Sequence, residues 1–233
     1  MTNHAQDTRV AGRPLPAVLA AALIVAPMLH LVGGALSPQL KGDAGDQLAV
    51  IAAHPTRWYW YSVLLVVGSI VAIPACVGLL QLGAARMRRV GAIGGALVTL
   101  GFVGSVMDCA YQLWEWQMVS SGADRAQMTA LLNRVDNAAG IQVLFQVCGI
   151  GLLIGTVLLT IALVRSSAVP SWAAIAFAAA VFVNIFAFSA NNATGVLVSF
   201  VLLALGMGSI GIASMRPQTR PQSSSPSRVP AAA

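Results

Sequence analysis

Asp108, Gln112 and Glu115 stand four and three residues apart in a run, 90–119, that holds no Lys, Arg or His and no other carboxylate. At about 100° per residue these three share a helical stripe with Gly101, Gly104, Ser105 and Tyr111. Val103, Val106, Ala110 and Leu113 fall on the opposite side. A carboxylate in such a stripe can hold a proton or a cationic group, and the neighbouring amide can donate or accept a hydrogen bond. Between 138 and 164, Gln142, Gln146, Gly149, Thr156 and Thr160 form a second face of the same kind. His30 and Asn184 are the strongest polar groups within two further apolar runs.

These residues must be carried by membrane-spanning helices. Of 233 residues 58% are apolar and 9% charged, and the mean hydropathy is +0.80. That composition leaves too little polar surface for a soluble globule and too much aliphatic material for a disordered chain. Six apolar runs are long enough for a hydrocarbon core of about 30 Å. They lie near 15–36, 58–82, 90–119, 138–164, 170–190 and 194–215. Backbone groups in lipid must be satisfied within each segment, so the expected fold is an all-α, polytopic bundle of six transmembrane helices. Pro27 and Pro74 should bend the first and second. Residues 1–14 and 216–233 are polar tails expected to be disordered.

Basic residues set the expected orientation. The N-tail, the second and fourth loops and the C-tail carry nine Lys or Arg, against four in the first and third loops. That excess puts both termini in the cytoplasm, with the chain multi-pass in the cell inner (plasma) membrane. The aromatic clusters Trp58-Tyr59-Trp60-Tyr61 and Trp114-Trp116 would then mark the outer interface. A cleavable signal peptide ending near Gly33-Gly34-Ala35 is the rival reading of the first span. In the third loop, Ser121 and Asp124 have capping-box spacing, and Met128, Leu131, Leu132 and Val135 follow at helical intervals. A short amphipathic surface helix is expected there, and a smaller one around Leu48 and Ile51. The basic turns at 86–90 and 165–169, 79 positions apart, suggest an internal repeat in which a surface helix precedes two spans.

One stretch carries a family resemblance. The outer loop Gln47-Leu48-Ala49-Val50-Ile51-Ala52-Ala53-His54-Pro55-Thr56-Arg57-Trp58 leads into a span ending in Ile73-Pro74-Ala75 and Gly78-Leu79-Leu80, then a basic turn. This resembles a group of six-helix bacterial integral membrane proteins classed as a domain of unknown function. The resemblance covers most of 15–215, with His54 where the Asn of an Asn-Pro pair is expected. It implies six spans and assigns no activity and no functional residue.

Several familiar motifs fail on context. Gly206-Met207-Gly208-Ser209-Ile210-Gly211 matches a dinucleotide-binding pattern but lies inside an apolar helix with no strand before it. Cys76, Cys109 and Cys148 are odd in number, show no C-x-x-C spacing and read as packing residues. Haem ligation would need a second His inside a span, and neither a P-loop nor a serine-protease element is present. No cofactor is expected. The basic charge is spread over short loops and tails, which indicates contact with the lipid bilayer and no nucleic acid.

Removing an ionisable side chain from water costs about 2.5 to 3.5 kcal/mol on insertion scales, so the buried polar groups are where function is sought. At about 1.5 Å per residue, His30, Asp108, Gln146 and Asn184 come to one level, roughly 10 Å below the outer boundary. Gln112, Glu115 and Gln142 lie shallower. The expected site is an outward-facing cavity for a small polar or amphiphilic ligand. Its candidate ligand or proton-binding residues are Asp108, Gln112, Glu115, His30, Gln142, Gln146 and Asn184. Gln142, Gln146 and Asn184 equally suit interhelical hydrogen bonding, His30 suits packing, and Glu115 beside two tryptophans suits a solvated interface position. Gly91, Gly95, Gly151 and Gly155 offer a small-residue face for a homo-oligomer or a partner helix. The alternatives are a structural or assembly subunit and, third, a metal-dependent membrane hydrolase built on His30, Asp108 and Glu115.

Overall fold

A computed structural model describes residues 15–38, 43–85, 87–120, 122–167 and 169–215. The disorder expected of the two tails lies outside the described residues, as do Lys41, Arg86 and Ser121. Eight helices follow in chain order: α1 Ala17–Leu36, α2 Ala44–Ala53, α3 Pro55–Ala84, α4 Arg88–Ser120, α5 Arg125–Asp136, α6 Ala139–Ser166, α7 Ser171–Ser189 and α8 Ala193–Met215. All but α2 and α5 are long and apolar enough to cross a membrane, so the chain is a multi-pass membrane protein with an all-helical fold. The expected spans and the observed helices agree to within three residues at every boundary.

Local chemistry explains the helix ends. Asp43 caps α2 by accepting from the backbone N–H groups of Gly45 at 2.8 Å and Asp46 at 3.1 Å. Asp124 caps α5 in the same way, from Ala126 at 2.7 Å and Gln127 at 3.2 Å. The cap expected to begin at Ser121 therefore sits three residues later, because a carboxylate accepts more strongly than a hydroxyl. Pro55 opens α3 at the position where a missing N–H is harmless. The turn between α7 and α8 places Asn191 at φ 49°, a left-handed conformation that Asn tolerates. The Asn192 side chain then accepts from the Gly195 N–H at 3.0 Å. Both α1 and α3 remain continuous through Pro27 and Pro74.

The six long helices form a ring in chain order. α1 packs on α3, α3 on α4, α4 on α6, α6 on α7, α7 on α8, and α8 returns to α1. α2 and α5 lie over one end, touching each other and the ends of α3, α4 and α6. Residues 15 and 215 are at the other end, where α1 meets α8 through Gly211 against Ala20. The surface-helix, span, span order of α2–α3–α4 recurs in α5–α6–α7, as the repeated basic turn suggested.

In lipid, apolar side chains gain nothing by hiding from their surroundings, so close approach has to come from small residues. A Cβ on Gly91 would sit 2.5 Å from the Gly83 carbonyl carbon, and one on Gly155 would sit 2.7 Å from the Val98 nitrogen. Gly95 meets Leu80, and buried Gly151 faces Leu97 and Leu100. All four glycines read as a partner-helix face are thus occupied by the chain's own helices. Large apolar residues such as Ile93, Ile154, Ile175 and Leu205 point outward and stay exposed, as lipid-facing positions do.

Candidate functional site

Near the end covered by α2 and α5, the helices leave a chamber of about 110 Å³ along the ring axis. A wider vestibule of about 330 Å³ adjoins it. Both share walls at Tyr61, Asp108, Gln112, Phe188 and Val196, so the two spaces are neighbours. The polar stripe of α4 faces them. Gln112 and Glu115 are 7% and 6% exposed, while the intervening Trp114 is 71% exposed. Glu115, read as a solvated interface residue, is therefore buried, because neighbours on a helix point about 100° apart.

Five of the seven sequence candidates line this cavity: His30 and Asn184 at the chamber, Asp108 and Gln112 at both levels, and Glu115 at the vestibule. Gln146 does not join them. It is exposed on the flank of α6 and makes no hydrogen bond to a described residue. Gln142 is also exposed, and its amide donates to the Asp136 carbonyl at 2.8 Å, closing the α5–α6 turn. The side of α6 that meets α4 is Cys148, Leu152 and Gly155, packed on Gly104, Gly101 and Gly94, and the glutamines lie beyond the point where α6 leaves α4.

The cavity residues divide by whether their hydrogen bonds are satisfied. His30 Nδ1–H donates to the Ala26 carbonyl at 2.8 Å, and the Ser69 hydroxyl donates to His30 Nε2 at 3.2 Å. Gly68 makes room for the ring, since a Cβ there would be 2.8 Å from His30 Nδ1. With both nitrogens used, His30 packs between Phe102 and Phe200 as a bridge from α1 to α3. The Asn184 amide donates to Ser199 Oγ at 2.9 Å and ties α7 to α8. Among the described residues no three His, Cys, Asp or Glu side chains come together to hold a metal ion. The His30, Asp108 and Glu115 arrangement that a metal hydrolase needs is thus not assembled.

Other groups are left open. Neither Asp108 nor Glu115 has a hydrogen bond or an ion pair to any described residue. Gln112 Oε1 is buried without a donor, although the Gln112 backbone carbonyl accepts from Trp58 Nε1–H at 2.9 Å. A third carboxylate, Asp136 at the end of α5, accepts from the Tyr111 hydroxyl at 3.0 Å and stands at the vestibule rim. Among the described residues no Lys or Arg lines either space. Arg57, at the same end of the bundle, is held by the carbonyls of Leu36 at 2.6 Å and Ser37 at 3.3 Å, where a cation suits a helix C-terminus.

Tyr61, Ser69, Ser199 and Asp136 were not legible as site residues. Their aromatic type suggests an interfacial belt for Trp58 and Tyr61, yet they are 1% and 6% exposed, and only Trp60 of that cluster is fully outward at 53%. A signal existed in the seven-residue spacing of Ser62 and Ser69, which continues the Trp58 face down α3. Comparison with known protein families, curated proteins and solved structures gives no match for this chain.

Proposed function

We propose that this protein binds a small polar or amphiphilic ligand in the cavity, and moves it or couples it to a proton, with Asp108 as the central group. Both termini are taken to face the cytoplasm of a bacterial cell, so the vestibule opens on the outer side of the inner membrane. The observation that carries the reading is the contrast within one cavity. Its deep walls are satisfied by His30, Ser69, Asn184 and Ser199, while Asp108, Glu115 and Gln112 Oε1 are left without partners. Buried polar groups normally find partners within the protein, and those that do not are available to a ligand.

Asp108→Asn tests this directly. The variant is expected to keep the wild-type thermal stability in mild detergent while losing at least about tenfold in ligand retention or proton-coupled uptake. Mass spectrometry of gently extracted protein and proton flux into proteoliposomes read the two. Wild-type behaviour in both would remove the reading. A structural or assembly subunit is the second reading, supported by His30 and Asn184, whose bonds serve only to lock helices. On that reading Asp108→Asn changes neither measurement, and the variant still associates with its partners.

A further inference from the structure

Resting on the reading of the cavity as a ligand site, we infer that its ligand is a hydrophobic ammonium ion. The N–H-bearing head lies among Asp108, Gln112 and Glu115, and the apolar tail leaves sideways between α6 and α7.

The charge of the head follows from the wall. Three carboxylates, Asp108, Glu115 and Asp136, face one vestibule, with no Lys or Arg among the described residues that line it. Those carboxylates would repel an anion. A bare metal ion would be held best by three or more His, Cys, Asp or Glu side chains, and the described residues contain no such group. An organic cation fits better, because the remaining chamber walls include the rings of Tyr61, Phe102, Phe188 and Phe200, whose faces attract cationic groups. The orphaned Gln112 Oε1 narrows the choice further. Gln112 lines both spaces and its Oε1 is an enclosed acceptor without a donor, so a head placed against this amide should supply an N–H, which a primary or secondary ammonium has and a quaternary one lacks.

The tail follows from the shape. α6 is in contact with α4 as far as Cys148, and beyond it the outer part of α6 is exposed around nearly its whole circumference. A Cβ on Gly140 or Gly149 would meet nothing within 4 Å. Across the gap, Phe188 on α7 lines both chamber and vestibule and is nevertheless 56% exposed, a combination found only at the edge of an opening. Phe145 is the only α6 residue that reaches the vestibule wall. The seam between α6 and α7 is also the least packed in the ring. An alkyl chain running through it would leave polar surroundings for lipid without crossing a charged surface.

The test uses the full chain in lipid nanodiscs, titrated calorimetrically against hexylammonium, hexyltrimethylammonium, hexyl sulfate, hexanol and methylammonium, with empty nanodiscs subtracted. Hexylammonium should bind saturably, at least about tenfold tighter than hexyl sulfate or hexanol. Affinity should rise up to about fourfold per added methylene from methyl to hexyl. Gln112→Leu should erase the preference for hexylammonium over hexyltrimethylammonium while leaving the preference over hexyl sulfate. Glu115→Gln should weaken both ammonium ions, and unchanged melting temperatures confirm that each variant is folded. Hexyl sulfate or hexanol binding as well as hexylammonium overturns the ligand class and leaves the cavity a binding site. Methylammonium matching hexylammonium overturns the lateral tail. If no probe binds above empty nanodiscs, the binding role itself falls.

Discussion

The two ends of this bundle are built from the same apolar helices and behave oppositely. Toward the α3–α4 turn, glycines bring backbones into contact: Gly91 on Gly83, Gly94 on Gly155, Gly206 on Ala173 and Phe177, and Gly211 on Ala20. Among the described residues no Asp, Glu or His lies in the helices there, and the ring is closed. Toward α2 and α5, α6 departs from α4 at Cys148 and a cavity opens between the helices. The space between them holds every intramembrane carboxylate. Stability comes from the end with the smallest side chains and chemistry from the end that packs worst, because dispersion between close backbones is what holds helices together in lipid.

That contrast can be broken at the tight end. Gly91→Leu would drive a side chain into the Gly83 and Ala84 backbone, and a loss of about 3 kcal/mol or outright failure to assemble is expected in thermal melts and size-exclusion profiles. Gly149→Leu, at a position with open space, should leave both measurements unchanged. Equal effects at the two glycines would end the distinction between a packed and an open end.

At the open end the expected effects are smaller and graded by how well each polar group is satisfied. His30→Leu removes the partner of buried Ser69 and should cost about 2 kcal/mol in denaturant unfolding, with no change in metal content. A metal lost with the imidazole would revive the hydrolase alternative. Asn184→Leu deletes one interhelical hydrogen bond and should cost about 0.6 kcal/mol. Gln146→Leu, at an exposed position without a hydrogen bond, should stay within about 0.5 kcal/mol of wild type and retain ligand. A large loss there would mean that α6 closes onto the cavity.

The legible parts of the site were those set by one helix at a time. The α4 stripe, the levels of His30, Asp108 and Asn184, and both surface helices follow from periodicity and from depth counted along a span. What was not legible depends on two helices at once. Gln142 and Gln146 were placed inside because their spacing matched the α4 stripe, but period says which residues share a face and not where that face is turned. Aromatics favour interfaces, which suggests belt positions for Trp58 and Tyr61, whereas burial against α4 puts them in the wall.

The amino-acid order by itself determined six spans, their boundaries and the burial of a few costly polar groups, because lipid forces each segment to satisfy its own backbone. Only the tertiary structure decided that the ring closes through Gly91, Gly155 and Gly211, that His30 and Asn184 are satisfied, and that Asp108, Gln112 and Glu115 are not. A side chain's partner is set by which neighbour can approach it, and that depends on backbone clearances of a few tenths of an ångström, which no single helix encodes.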